Sequence, residues 1–130
     1  MKKYNVGIIG YSWVATAHIT AINKSPNAQV TAIYSSRPHD DAAESEKWGS
    51  PIKTYTDLNA MLSDKSIDAV SITSYSDQHA AQAVAAARAG KHIILEKPMA
   101  LSWEDCLLID SEVKKAGAKV CICFECRYSN

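Results

Sequence analysis

Short runs of β-branched and apolar residues alternate with longer stretches of helical pattern along the chain, and this alternation constrains the fold more than any other feature. Strand, helix, strand in succession reads as a βαβ unit, which builds a parallel sheet with helices on its faces. The spacing predicts strands at Tyr4 to Ile9, Gln29 to Tyr34, Ala69 to Thr73, His92 to Glu96 and Lys119 to Phe124, with a short one at Pro51 to Tyr55. Runs such as Val6-Gly7-Ile8-Ile9 and His92-Ile93-Ile94-Leu95 do not alternate apolar with polar. Such strands are expected to be covered on both faces.

Helices are expected at Trp13 to Lys24, Asp40 to Trp48, Asp57 to Leu62, Asp77 to Ala89 and Trp103 to Ala116. Gly49, Gly90 and Gly117 each follow such a stretch, where a left-handed residue closes the last turn. Ser102 with Asp105 resembles a capping box. Trp103, Cys106, Leu107, Ile109, Val113 and Ala116 fall on or near one stripe, expected to lie against the sheet. The alanine-rich segment Ala80 to Ala89 permits a close helix approach. No repeat or linker interrupts the chain. Right-handed crossovers then predict an α/β, doubly wound, Rossmann-like parallel sheet of order 3-2-1-4-5-6. The expected division is a dinucleotide-binding domain over residues 1–120, with 121–130 forming the last strand and the start of a connection.

Composition narrows the function. The 130 residues are 47% hydrophobic and 22% charged, as expected for one globular core. Fourteen Lys plus Arg balance 14 Asp plus Glu, so the chain lacks the basic surplus that nucleic acid or an anionic membrane attracts. Neither partner is expected. No apolar run approaches the ~18 residues of a membrane-spanning helix. Lys2 and Lys3 precede an apolar stretch ending in the A-x-A-like Ala15-Thr16-Ala17, but Asn5 and Ser12 interrupt it and cleavage would remove the first strand. Cys106, Cys121, Cys123 and Cys126 all lie in the last quarter, unlike a framework of disulfides. A cytoplasmic protein with reduced thiols is expected.

The first strand runs into Gly10-Tyr11-Ser12-Trp13-Val14-Ala15, where a dinucleotide-binding fold carries G-x-G-x-x-G/A. Gly10 supplies the tight turn and Ala15 the close helix-to-strand contact, while Ser12 stands at the middle glycine position. Its hydroxyl could cap the helix or donate to a phosphate. The helix start offers N–H groups and a positive dipole end to an anion. The other reading of this degenerate motif is a plain strand-to-helix turn without a ligand.

The second strand ends in Tyr34-Ser35-Ser36-Arg37, with no acid before Asp40. An NAD site usually places a carboxylate here for the ribose hydroxyls, whereas a guanidinium suits a 2′-phosphate. Ser36 and Arg37 thus favour NADP over NAD. The fifth strand ends in Glu96-Lys97-Pro98, at the sheet edge where α/β proteins bind ligands. Lys97 is a candidate proton donor or acceptor if partial burial lowers its ammonium pKa, and Pro98 would restrict its backbone.

Taken in order, the Gly10 to His18 turn, Ser36-Arg37, His79 with the alanine-rich helix and Gly90-Lys91-His92, Glu96-Lys97-Pro98 and Arg127-Tyr128 resemble the N-terminal domain of the Gfo/Idh/MocA oxidoreductases. The resemblance implies nicotinamide-dependent hydride transfer at a hydroxyl or ketone of a sugar, cyclitol or related small molecule. It implies that Lys97 contacts the reacting oxygen, that Glu96 and Pro98 shape the cofactor pocket, and that Ser12 and Trp13, flanked by Val14, lie by the pyrophosphate. Ser74 and Tyr75 would line the nicotinamide side, Tyr75 replacing a proline common in the family, and His79 would stand near the cofactor. Family members continue into a substrate domain, so these residues read as the cofactor half of a longer, homo-oligomeric enzyme, inactive alone. A non-catalytic nucleotide-binding or sensor module, or a bare scaffold, is the alternative reading.

Cys121-x-Cys123-x-x-Cys126 invites a metal reading, but strand geometry splits the set and no nearby histidine completes it, so no metal site is expected. His18 and His39 are expected at the surface or at caps, and Trp48 against a helix end.

Overall fold

The computed structural model describes residues 2–124 and 127. Cys126 and Tyr128, singled out in the sequence, lie outside the described residues. The elements in chain order are β1 (Tyr4–Ile9), α1 (Trp13–Lys24), β2 (Ala28–Tyr34), α2 (Asp41–Trp48), β3 (Lys53–Tyr55), α3 (Leu58–Ser63), β4 (Ala69–Ile72), α4 (His79–Arg88), β5 (His92–Glu96), α5 (Trp103–Ala116) and β6 (Val120–Cys123). All strand pairs are parallel, in the order β3-β2-β1-β4-β5-β6 expected of a Rossmann-like sheet. Among the described residues no helix is long and apolar enough to cross a membrane.

Adjacent residues of β1 serve opposite faces, which is why the strand reads as one apolar run. Ile8 joins Ala15, Ile19, Val30, Ile33 and Ile52 on one side. Ile9 joins Ile72, Leu95, Ala83, Ala87, Ile109 and Val113 on the other. β5 departs from the expected double cover, because α4 packs only on the side of Ile93 and Leu95. His92 on the reverse side is exposed and Ile94 half-buried.

Two helices begin one residue later than expected, because Asp40 and Asp57 have extended backbone and act as caps. Their carboxylates accept from Ala43 N at 2.8 Å and Asn59 N at 3.0 Å. Ser102 Oγ caps α5 by accepting from Asp105 N at 3.1 Å. Gly49 and Gly117 end α2 and α5 at φ 68° and 65°, as expected. The expected helix from Asp77 opens instead as a 3₁₀ turn, Ser76–Gln78, before α4.

The stripe expected on α5 is only partly buried. Ile109 and Val113 are covered, but Trp103 is 72% and Leu107 50% exposed. The reason is that α5 packs chiefly on α4, whose Ala83, Ala86 and Ala87 admit a close but narrow contact. Buried Glu112 completes that contact, accepting from Arg88 at 3.1 and 3.2 Å. Lys91 is likewise internal, its Nζ donating to the carbonyls of Asp64 at 2.7 Å and Ile67 at 2.8 Å. Burial pushes its ammonium pKa down. This lysine of the Gly90-Lys91-His92 run ties the amino ends of β4 and β5 together, at the sheet edge opposite Glu96.

Candidate functional site

The turn after β1 is shaped by contact with the loop after β4. Gly10 has φ 91°, and a Cβ there would stand 2.7 Å from the backbone Cα and N of Ser74. Only glycine meets both conditions. Ser12 occupies the cap position of α1 without a side-chain cap bond, because its hydroxyl donates instead to Thr73 O at 3.1 Å. The capping expected of Ser12 is therefore replaced by a tie to the end of β4. In the first turn of α1 the Ala15 amide donates to Ser12 O at 3.1 Å, while the amides of Trp13 and Val14 precede any intrahelical partner, and no acidic residue occupies that turn. Ala15 is fully buried beneath them.

A crevice of about 670 Å³ opens at this helix end. It gathers Gly10, Ser12, Trp13 and Val14 from the turn, Ser36 and Arg37 from the end of β2, and Ser74 and Tyr75 from the loop after β4. Trp13 and Tyr75 are 85% and 80% exposed at its rim. Arg37 is exposed, and its amide donates to Ser35 Oγ at 3.2 Å. Among the described residues lining the crevice there is no carboxylate, and the cationic or titratable bases are Arg37 and His39.

Tyr11 and His39 also line it and were not singled out as site residues. Both rest on Glu44, which is buried behind the wall. Tyr11 Oη donates to Glu44 Oε2 at 2.6 Å and accepts from Trp48 Nε1 at 2.9 Å. His39 Nδ1 lies 3.3 Å from Glu44 Oε1, and its ring meets Tyr11 edge-on at 5.0 Å. Burial first, then the bond to Glu44, raises the Tyr11 phenol pKa, so the hydroxyl stays a donor. His39 is thus half-buried in a network rather than a free surface group, while Trp48 packs at its helix end as expected.

The remaining expected residues do not line this crevice. His79 is 1% exposed and sits beneath it, with Nδ1 2.7 Å from Pro98 O and Nε2 3.1 Å from Ser74 O. It joins the crevice wall to the turn after β5. Gln82, one turn along α4, bonds the Ser74 hydroxyl. Lys97 and Pro98 are exposed beyond the crevice, joined by a cis peptide, so the partial burial expected for Lys97 is not found. Glu96 turns away, with Oε2 accepting from Lys97 N at 3.1 Å and Oε1 2.8 Å from His18 Nε2.

His18 is therefore not a surface or capping residue. Its other nitrogen meets Ser71 Oγ at 2.8 Å, and its side chain is 13% exposed. The signal was its spacing: Ala15, His18 and Ile19 share the face of α1 that meets the sheet. The same side chain neighbours Cys123, far away in sequence, although it does not gather the cysteines of the C-x-C-x-x-C run into one set. Burial, then Glu96, pushes the Cys123 thiol pKa up.

Comparison with known proteins matches residues 4–124 to a family described as "Oxidoreductase family, NAD-binding Rossmann fold". Inositol 2-dehydrogenase of Salmonella typhimurium is 32% identical over 124 residues, covering 94% of this chain and 37% of the relative. A scyllo-inositol dehydrogenase from Lactobacillus casei, solved with bound NAD(H) and scyllo-inositol, superposes with a TM-score of 0.87 at 28% identity, covering 99% of this chain and 38% of that one. A 3-ketoreductase from Actinomadura kijaniata, in complex with NADP and TDP-benzene, gives 0.85 at 26% identity, covering 93% of this chain and 37% of that one. The chain thus spans little more than a third of the length of these relatives.

Proposed function

The chain belongs to the Gfo/Idh/MocA oxidoreductase family, whose domain here is the NAD(P)-binding one, and on that premise we propose that it serves an enzyme moving hydride between NADP and a sugar, cyclitol or related small molecule. The relatives named for inositol support the substrate class. The nicotinamide supplies the hydride acceptor or donor when bound. The chain's own residues hold and orient it: the amides of Trp13 and Val14 at the start of α1, with Ser12, face the pyrophosphate. Ser74 and Tyr75 flank the nicotinamide side. Lys97, exposed at the carboxyl edge, holds or releases a proton at the reacting oxygen. Glu96, Pro98 and His79 act by positioning the turn that carries Lys97.

One observation carries the preference for NADP: the crevice has no carboxylate in its described lining and presents Arg37 with Ser35 and Ser36 at the end of β2. A 2′-phosphate meets a guanidinium and hydroxyls there instead of a like charge. Titrating NADPH and NADH while following nicotinamide fluorescence tests it. NADPH is expected to bind about tenfold tighter or more, on the strength of one charge-assisted contact, and Arg37→Ala to erase the difference. Tighter NADH binding would overturn the NADP preference, and no binding of either at millimolar concentration would overturn the cofactor site.

A further inference from the structure

Three elements converge at the carboxyl edge of the sheet, outside the crevice. α1 brings His18, β5 ends in Glu96 and β6 ends in Cys123, and one ligand atom from each lies within 4.8 Å of the other two. We propose that these three side chains form a site for one divalent first-row metal ion of the zinc class.

The geometry of each donor supports this. A tetrahedral zinc ion with bonds of about 2.0 to 2.3 Å keeps its ligand atoms about 3.3 to 3.8 Å apart. The pair at 2.8 Å, His18 Nε2 and Glu96 Oε1, opens by under about 1 Å to admit it. His18 is already aimed, because Nδ1 meets Ser71 Oγ at 2.8 Å and leaves Nε2 for the ion. A second partner on the far nitrogen is how metal-binding imidazoles are commonly oriented. Glu96 is fixed in the same way, its Oε2 held by the Lys97 amide while Oε1 faces His18.

The chemistry selects the ion. One imidazole, one carboxylate and one thiol suit zinc or cobalt, and not magnesium or calcium, which take oxygen donors. Three protein ligands leave a fourth position for water. Without an ion, burial and Glu96 favour the protonated Cys123 thiol. Coordination releases that proton to solvent, and thiolate plus carboxylate then neutralise the 2+ charge. His18 and Glu96 are each 13% exposed, so the ion is screened yet reachable. Its effect is to clip α1 to β5 and β6, immediately beside Lys97, and the site does not depend on the cofactor reading.

Cobalt titration of the reduced, metal-free protein tests it. One equivalent is expected to raise a thiolate-to-cobalt charge-transfer band in the near ultraviolet, which added zinc abolishes. Cys123→Ser is expected to remove the band, His18→Gln to weaken binding at least tenfold, and Cys121→Ser to change neither. Circular dichroism checks that each variant folds, and ¹¹³Cd NMR of the unaltered protein counts the sulfur ligands directly. Absence of the band at millimolar cobalt would overturn the site, as would a band that survives Cys123→Ser, affinity unmoved by His18→Gln, or a cadmium shift without sulfur.

Discussion

Nδ1 of His79 lies 2.7 Å from the carbonyl oxygen of Pro98, so the first turn of α4 holds the turn that presents Lys97. Nε2 of the same ring reaches Ser74 O at 3.1 Å, which makes one buried side chain the tie between two loops. His79→Ala removes the ring that packs between the two carbonyls, with the one N–H a neutral imidazole can donate to them, and opens a cavity, and is expected to destabilise the fold by about 2 to 4 kcal/mol. Urea unfolding measures this. A change below about 0.5 kcal/mol, typical of a surface substitution, would contradict the tie.

Gly10→Ala and Gly7→Ala should differ sharply although both add one methyl group. At Gly10 the methyl meets the Ser74 backbone in a left-handed turn, with nothing able to yield. A loss of about 2 kcal/mol or more and at least tenfold weaker dinucleotide binding are expected. At Gly7 the collision is with Met61 Cε at 2.6 Å, the far end of a flexible side chain, so the loss should stay near 1 kcal/mol. Thermal unfolding of the two variants side by side separates the cases.

Lys97→Ala should leave dinucleotide affinity and stability nearly unchanged, since Lys97 is exposed and lies off the crevice. In the full-length enzyme turnover should fall by about 10² or more, the usual contribution of a general acid or base. Unchanged turnover would remove Lys97 from the chemistry.

Stability should decline at both pH extremes through one pair. Ser66 first, then Tyr55, lowers the Asp64 carboxyl pKa to about 2, and burial first, then Asp64, raises the Tyr55 phenol to about 12. A carboxyl pKa below its unfolded value of about 3.9 gives stability that is present above that pH and lost as pH falls toward 2. A phenol pKa above its unfolded value of about 10 gives stability that is lost as pH rises toward 12. Unfolding free energy measured against pH should therefore fall more steeply in the protein than in Asp64→Asn over the acid window. Parallel acid limbs would show that the carboxylate contributes nothing.

The elements legible from sequence were those closed by local signals. β1, β5, α1 and α5 have the expected bounds because each apolar or helical run is delimited by turn or capping residues close in sequence. The 3₁₀ opening before α4 and the exposed Trp103 depend on how helices pack on one another, which no local pattern records. The site divides in the same way. Gly10, Ser36 and Arg37 could be read from motifs. The Tyr11–Glu44 and His18–Glu96 contacts could not, because their partners lie 33 and 78 residues apart and meet only in the folded sheet.

The wall of the crevice, free of carboxylates among the described residues, also bears on kinetics. A chain with zero net charge has no long-range pull on anions, yet this opening presents Arg37 and a helix end of one sign. Capture is then a local, short-range focusing, effective within about one Debye length of the mouth. Added salt should slow dinucleotide association while leaving dissociation almost untouched, and free pyrophosphate should compete for the same entrance.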